Sequence, residues 1–184
     1  MRRPNSVPPG GPKVNFSPDR DSASPDDYTT GMTDYIPEHS HYRTDEMEAL
    51  RSLIAASPGA FTLNLAICTD TALRSHLAQE LQSAFPAIEL VSFWPYTSDL
   101  FEHVHRTTAA QPRDALFVSG LEDALDADID RAALLATLNT SPPRWKAWFA
   151  CPVIFWMNGP TADLLREEAR DFWEWQTGLF RLDA

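Results

Sequence analysis

Apolar residues from position 44 onward alternate between short continuous runs and helical stripes. Five runs that are mainly apolar predict strands at residues 61–68, 88–93, 115–118, 151–157 and 178–182, and the third and fourth are apolar throughout. Between these runs, apolar residues recur three or four positions apart, as Leu73, Leu77 and Leu81 do, and predict amphipathic helices. Strands that are apolar on both faces and separated by helices are typical of a parallel sheet covered on both sides. The pattern therefore predicts an α/β fold, a three-layer sandwich around a mostly parallel five-stranded sheet.

Polar caps and helix breakers set the limits of the predicted helices. Thr44 opens the first helix with two acidic residues behind it, and Ser57, Pro58 and Gly59 end it. Thr69 or Asp70 caps the second helix. Further helices are predicted at 98–107, 130–138 and 161–170. A solvated acidic turn is predicted from four aspartates: Asp123, Asp126, Asp128 and Asp130.

Residues 1–43 differ from the rest of the chain in composition. They hold seven of the fifteen prolines and three of the seven glycines, and their apolar residues follow no period. Such a segment buries too little surface to offset its chain entropy, so we predict a disordered tail before an α/β domain at 44–184. Residues 28–42, with Met32, Tyr35 and Ile36, are also compatible with docking on a partner or on the domain.

Charge and cysteine content exclude several classes of protein. The formal charge is −11, the pI is near 4.7, and nearly all of the charge belongs to residues 44–184. An acidic surface is unsuited to general nucleic-acid binding or to anionic membranes. Cys68 and Cys151 are too few for a disulfide scaffold and are compatible with a reducing cytosol. We also expect no membrane span and no secretory signal. A cytoplasmic protein is predicted.

The first predicted strand leads into the segment where a nucleotide-binding protein of this architecture would hold phosphate. That segment, CTDTALR at 68–74, has neither the glycines nor the lysine of G-x-x-x-x-G-K-[ST]. Lys13 and Lys146 are the only lysines in the sequence, and Lys13 lies in the predicted tail. Thr69, Asp70 and Thr71 are the weak candidates for nucleotide contact, although a carboxylate at Asp70 would repel phosphate. Helix capping is the favoured role of this segment.

An acidic residue follows the third predicted strand, where an NTPase places an acid to hold Mg²⁺ or to activate water. Glu122 is near that place and is the further weak candidate if nucleotide binds, but Gly120 occupies the expected position of the strand-end aspartate. Acids after a strand are also ordinary helix starters. We therefore predict no catalytic residue, no cofactor and no metal site.

Histidine and cysteine offer one alternative chemistry. His39 and His41 lie in the predicted tail, whereas His103 and His105 lie two residues apart on a predicted helix, which points them away from each other. Surface histidines are the favoured interpretation. Cys68 with His103 or His105 as base would make a hydrolase, but a buried, unreactive cysteine is favoured.

Aromatic residues are concentrated in the last forty positions. Such density exceeds what one small core usually needs, so that part of it is compatible with an exposed partner-binding patch. The predicted interaction residues are Trp145, Trp148, Trp173 and Trp175. Packing in the core is the alternative interpretation for the same group.

Two segments of the aromatic region resemble a known family. They are CPVIFWM at 151–157 and RDFWEWQTGLF at 170–180, with support from Leu138-Asn139 and from FVSGLE at 117–122. They resemble a bacterial NTPase-like domain, related to STAND and AAA-type ATPases, that has a degenerate or missing P-loop and commonly precedes tetratricopeptide or WD40 repeats. The resemblance covers about residues 44–182. It implies P-loop-NTPase-like topology without the P-loop, and it makes 117–122 a degenerate Walker B region.

The residues and the resemblance together favour a non-enzymatic protein. We expect an NTPase-like adaptor or regulatory subunit of a bacterial multiprotein system, such as antiphage defence, that acts by binding another protein. Because no repeats follow the last predicted strand, we expect a repeat-bearing or effector partner on a separate chain. The alternative is an NTP-binding or NTP-hydrolysing protein whose unorthodox phosphate cradle is completed by a partner.

Overall fold

The computed structural model describes residues 42–95, 97–108, 111–127 and 131–183. The predicted tail therefore lies outside the described residues, except for Tyr42 and Arg43, and the boundary at residue 43 stays a prediction. Asp128 and Asp130 of the predicted acidic turn also lie outside them.

Within the described residues the chain forms five strands and eight helices. The strands are β1 Thr62–Ile67, β2 Ile88–Ser92, β3 Ala115–Ser119, β4 Pro152–Met157 and β5 Gly178–Arg181. The helices are α1 Thr44–Ala56, α2 Thr71–Ala84, α3 Leu100–Thr107, α4 Leu121–Asp126, α5 Arg131–Thr140, α6 Pro142–Trp148, α7 Gly159–Glu168 and α8 Arg170–Glu174.

The five strands form one sheet in the order β2-β3-β4-β1-β5, and every pair of neighbours is parallel. The predicted five-stranded parallel sheet is therefore confirmed. The strand order, with β1 between β4 and β5, is consistent with the P-loop-NTPase-like topology that the resemblance implies. Tyr42 adds an antiparallel bridge to Asp183 beyond the end of β5.

Alternate residues of the strands face two separate cores, which confirms the three layers. Leu63, Leu65 and Ile67 of β1 face a core built with α3 to α8. Ala66 of β1 and Cys68 beyond it face the second core, which α1 and α2 cover. Side chains on a strand alternate between faces, so a strand buried in both cores must be apolar at nearly every position.

Two local predictions about helices are corrected by the fold. The residues at 121–126 form α4 instead of an acidic turn, because Leu121, Ala124 and Leu125 bury one side of the segment in the core. The helix predicted at 161–170 is α7, Gly159–Glu168, and the buried Ala169 separates it from α8, which was not predicted. Among the described residues, no helix has both the length and the apolar character needed to cross a membrane.

The connections of the sheet determine where a site is expected. The chain leaves β1 through α2 on one face of the sheet, and it leaves the adjacent β4 through α7 on the other face. In open parallel sheets, such a switch point opens a crevice at the carboxyl ends of the two strands, where ligands normally bind. The residues just after β1, β3 and β4 are therefore the candidate site.

Candidate functional site

The start of α2 lies where a parallel-sheet nucleotide-binding protein presents backbone amides to phosphate. Asp70 is the N-cap of the helix, and its Oδ1 accepts hydrogen bonds from the backbone N–H groups of Ala72 and Leu73 at 2.8 and 3.1 Å. The backbone N–H of Thr69 donates to both carboxylate oxygens of Asp183 at 2.9 Å. Amide donors at this helix start are therefore bonded to the protein's own carboxylates.

Thr69 and Thr71 complete the set of nucleotide-contact candidates in this loop. Both are exposed, and the carbonyl of Thr71 accepts a hydrogen bond from the Ser75 hydroxyl at 2.9 Å. Thr69, Asp70 and Thr71 are thus adjacent at the carboxyl edge of the sheet. The contacts that the structure gives to Asp70 are those of a helix cap.

Beside this loop, Arg74 and Glu122 form an ion pair that is largely shielded from solvent. The Arg74 Nη1 lies 2.8 Å from Oε1 of Glu122, and each side chain is only 14% exposed. Arg74 also donates through Nε and Nη2 to the carbonyl of Cys68, at 3.1 and 2.7 Å. The backbone N–H of Asn158 donates to the same Glu122 oxygen at 3.0 Å.

The ion pair therefore joins the ends of three elements. Arg74 holds the end of β1, Glu122 belongs to α4 after β3, and Asn158 follows β4. Glu122, which the sequence places near a magnesium-binding position, is neutralised here by Arg74, a residue that no motif had indicated. The two side chains come from helices on opposite faces of the sheet and meet at its carboxyl edge, so their own neighbours in the chain offered no signal.

Gly120 explains why no strand-end aspartate is found after β3. Its φ is +81°, in the left-handed region that favours glycine. A Cβ at this position would lie 2.8 Å from the carbonyl oxygen of Phe93 and 3.1 Å from its backbone nitrogen. Because backbone, not a flexible side chain, fills the space, a carboxylate-bearing residue does not fit in this conformation.

The two thiols are buried in different cores. Burial, and then the nearby Asp183 carboxylate, raise the pKa of Cys68 to about 12. Burial also raises the pKa of Cys151 to about 11, with Arg113 acting in the opposite direction. A nucleophilic cysteine needs a lowered pKa, so both environments are unsuited to that chemistry.

The histidines predicted as possible bases do not approach Cys68. Cys68 faces the core that α1 and α2 cover, whereas α3, which carries His103 and His105, packs on the opposite face of the sheet. His103 Nε2 lies 3.2 Å from the Ser92 carbonyl oxygen, and the His105 ring contacts Phe101 and Trp148. The described residues contain no cluster of three metal-ligating side chains. The cysteine-hydrolase alternative is therefore unsupported.

The predicted interaction tryptophans are divided by the fold. Trp145 is fully buried, its indole N–H donates to the Ser141 hydroxyl at 3.0 Å, and its ring packs against Phe101 and Phe155. Its assignment to a partner surface was wrong, because it faces the sheet from the inner side of α6. Trp148 on the same helix is 62% exposed.

The other two predicted tryptophans and one unpredicted residue complete the surface aromatics. Trp175 is exposed, whereas Trp173 is half-buried against the core. Trp94, which follows β2 and was not predicted as an interaction residue, is 70% exposed. It lies outside the aromatic-rich last forty residues, so sequence density did not single it out.

Asn139 has a definite structural role. Its Oδ1 accepts a hydrogen bond from the backbone N–H of Phe172 at 3.2 Å, and its amide donates to the Glu168 carbonyl at 3.4 Å. The side chain thus joins the end of α5 to the α7–α8 junction. Leu138-Asn139 and the RDFWEW segment, two of the features that carry the family resemblance, therefore contact each other.

Comparisons with known proteins add little to this geometry. No protein-family model matches the chain, and no curated protein does. Among solved structures, it is similar to the ORC2 protein of Aeropyrum pernix, whose structure was described in ADPNP–ADP complexes. The identity is 12% and the TM-score is 0.47, over 83% of this chain and 50% of that one. This chain thus spans about half the length of that protein, and the nucleotides described belong to that protein.

Proposed function

We propose that this chain is a non-catalytic NTPase-like domain that acts by binding another protein, as an adaptor or regulatory subunit. The observation that carries the proposal is the occupied carboxyl edge of the sheet. There, Asp70 and Asp183 accept hydrogen bonds from amides that a phosphate would use, and Arg74 neutralises Glu122. A nucleotide would have to displace these contacts before it could bind.

Electrostatics oppose such a displacement. Two unit charges of the same sign about 4 Å apart repel by about 4 kcal/mol at the effective dielectric constant of a protein surface. A phosphate at the start of α2 would meet the carboxylates of Asp70 and Asp183 at close range. Residues 68–74 contain no lysine to offset that repulsion, and their one cation, Arg74, is already paired with Glu122. Lys146 lies at an exposed position of α6.

Exposed tryptophans support the protein-binding part of the proposal. Trp94 and Trp148 expose most of their surface, and Leu90 on the edge strand β2 is also exposed. Tryptophan is enriched among the residues that contribute most to binding at protein interfaces. The family resemblance further supports a repeat-bearing or effector partner in the cytoplasm of a bacterium, with antiphage defence as an example of the setting.

Nucleotide binding by the full chain tests the first half of the proposal. We expect no heat signal when Mg²⁺-ATP is titrated to about 1 mM in calorimetry, and no rise in Tm at that concentration. Binding would be detected in the second measurement, because a ligand at 100 times its Kd stabilises a fold by about 2.7 kcal/mol. Micromolar binding by the isolated chain would overturn the non-nucleotide role and favour the unorthodox-cradle alternative.

Native mass spectrometry of tagged protein, purified gently from its own host, tests the second half. We expect a stoichiometric complex with a second protein and no nucleotide mass. Trp94→Ala and Trp148→Ala, tested separately, should weaken the complex if their surfaces carry it, while the exposed control Lys146→Ala should not. A lone chain that carries ATP or ADP would contradict the adaptor role.

A further inference from the structure

The strand β2 is one edge of the sheet, and it differs from the other edge, β5, in what it exposes. Leu90, in the middle of β2, is 53% exposed, and within the described strands it is the one exposed apolar side chain. At the other edge, the Arg43 N–H donates to the Leu182 carbonyl at 3.2 Å, so that the chain itself lies beside the end of β5. Edge strands are usually protected against pairing by charged residues or proline, so an exposed leucine on an edge favours pairing.

The backbone groups of β2 alternate between its neighbour β3 and the open side. The Phe93 N–H donates to the Ser119 carbonyl at 2.8 Å, and the Ala87 carbonyl accepts from the N–H of the residue before β3 at 3.2 Å. Successive residues of a strand direct these groups to opposite sides. The odd-numbered residues of 87–93 therefore face β3, whereas the even-numbered residues of 88–92 face outward.

Two of the outward groups are already bonded within the chain. The Ile88 N–H donates to the Phe85 carbonyl at 3.1 Å, and the Ser92 carbonyl oxygen lies 3.2 Å from Nε2 of His103. The outward groups that remain are the Ile88 carbonyl, the N–H and carbonyl of Leu90, and the Ser92 N–H, for which the described residues provide no partner. The open side of β2 therefore presents donors and acceptors in equal number.

An antiparallel second copy of β2 matches these groups when Leu90 lies opposite Leu90. In that register the two Leu90 residues exchange N–H···O bonds with each other, and each Ser92 N–H meets an Ile88 carbonyl of the other copy. The one kind of bond that this register cannot form joins the Ile88 N–H to the Ser92 carbonyl, and both of those groups are bonded within their own chain. The open side of β2 is therefore complementary to itself, as a two-fold interface requires.

The side chains that this register opposes are also compatible. Leu90 lies beside Leu90 of the second copy on one face of the sheet, which covers the exposed apolar surface of both. Glu89 lies opposite Val91 of the second copy, so that it does not face another charge. Glu89 is also paired with Arg113 of its own chain at 2.8 Å. The strand itself therefore places no like charges opposite each other.

We propose that the chain forms a two-fold dimer in which the β2 strands of two copies pair antiparallel about Leu90. The two sheets then continue into one sheet across the interface. The formal charge of −11 on each copy opposes association over longer distances, so the dimer tightens when salt screens that repulsion. This inference concerns the chain alone and does not depend on the partner protein proposed above.

Sedimentation equilibrium of the full chain tests the dimer. We expect the mass to rise from one chain of 20.6 kDa toward two as the concentration is raised from about 5 to about 500 µM, because a small interface binds weakly. The dissociation constant should be lower at about 0.5 M NaCl than at about 0.05 M NaCl. A chain that stays monomeric throughout would overturn the proposal, and the edge would then be open to an extended segment of another protein.

Charge substitutions at Leu90 test the register. Leu90→Lys and Leu90→Glu should each raise the dissociation constant by at least about tenfold, because like charges then lie directly opposite each other. An equimolar mixture of the two variants should recover the dimer, since it places opposite charges at the same point. Recovery on mixing also shows that both variants are folded.

Ala55→Lys is the matched control for these substitutions. It adds the same charge at an exposed position of α1, which contacts β5 at the opposite edge of the sheet, and it should dimerise as the wild type does. A dimer that both Leu90 variants leave unchanged, or one that mixing does not restore, would show that β2 does not pair in this way.

Discussion

The two ends of the sheet differ in how their polar groups are used. At the carboxyl end, Arg74, Glu122 and Asp183 form ion pairs and hydrogen bonds with groups of the same chain, and we call this the closed carboxyl edge. At the amino end, Trp148 borders an open cavity, and Arg113 in its lining is paired with Glu89. A fold whose usual ligand site is filled by its own side chains can still present a binding surface elsewhere. The comparison predicts that substitutions at the carboxyl end act on stability and those at the amino end on binding.

We expect the largest effect in the alkylation rates of the two thiols, and we expect folding to slow both rates, at either end of the sheet. The pKa of Cys68, at the carboxyl end, is raised to about 12, and that of Cys151, at the amino end, to about 11. At about pH 8 the thiolate fraction of each should be lower than in the unfolded chain by two powers of ten or more. Alkylation with iodoacetamide, followed by mass spectrometry of each peptide with and without urea, measures both rates.

The same shifts give a pH dependence with a definite sign. Because the folded pKa values lie above the unfolded ones, the unfolded chain loses these protons first. The contribution to stability is full below about pH 9 and is lost as the pH rises through about 11 to 12. Cys68→Ala combined with Cys151→Ala should flatten that part of the profile. A native Cys151 that reacts as fast as in urea would show that the amino-end cavity exposes its thiol.

Arg74→Met should lower the free energy of unfolding by about 3 kcal/mol, because it leaves Glu122 shielded from water without its cation. Arg166→Met is the matched control, since its ion pair with Asp163 is exposed and such pairs contribute about 0.5 kcal/mol. Urea denaturation of both variants measures the difference. Adding Glu122→Gln to Arg74→Met should cost less than the sum of the single changes. Equal losses for the Arg74 and Arg166 variants would refute the closed carboxyl edge.

Gly120→Ala should destabilise the fold by about 2 kcal/mol or more, through its positive φ and through the Cβ contact with the Phe93 backbone. Gly59→Ala is the control, because its φ is +72° but nothing lies within 4 Å of its Cβ position. That variant should lose only about 1 kcal/mol. Thermal unfolding followed by circular dichroism compares them. If the two losses are the same, the close approach of Gly120 to the Phe93 backbone adds nothing to the cost of the substitution.

Asp70→Ala should cost about 1 kcal/mol, the usual contribution of an N-cap side chain. Asp70→Asn should cost much less, since an amide oxygen also accepts from the Ala72 and Leu73 backbone. Chemical denaturation at about pH 7 distinguishes the two. A large loss in the asparagine variant would mean that the negative charge, more than the cap, stabilises this edge.

Trp148→Ala should have the smallest effect on stability, below about 0.5 kcal/mol, because the side chain is mostly exposed. The same variant should weaken the complex with the partner protein proposed above, so that stability and binding separate at the amino end. Urea denaturation measures the stability, and native mass spectrometry of the complex measures the binding. A loss of stability comparable with that of Arg74→Met would make Trp148 a structural residue.

Local pattern was sufficient for the strands and for most helix starts. The five strands lie within one or two residues of their predicted ranges, since residues 152–157, for example, must be apolar at every position to be buried on both faces. The start of α1 at Thr44 and the cap at Asp70 also follow from residues adjacent in the chain. The helix α4 was missed because its three buried positions are interrupted by acids that, taken alone, indicate a turn.

The candidate site was only partly predictable, for a different reason. The sequence identified Glu122 and the loop at 69–71, but not Arg74 or Asp183, which complete their contacts. Those partners come from segments distant in the chain. Trp145 was assigned to the surface because aromatic density does not tell which side of a short helix faces the sheet.

The sequence by itself determined the alternation of strands and helices, the acidic charge and the lack of a phosphate-binding glycine–lysine motif. These properties depend on residue type and on neighbours within a few positions. The tertiary structure alone decided that Arg74 meets Glu122, that Gly120 lies against Phe93, and that Trp148 borders a cavity while Trp145 is buried. Each of these depends on how elements far apart in the chain pack across the two faces of the sheet, which no local pattern encodes.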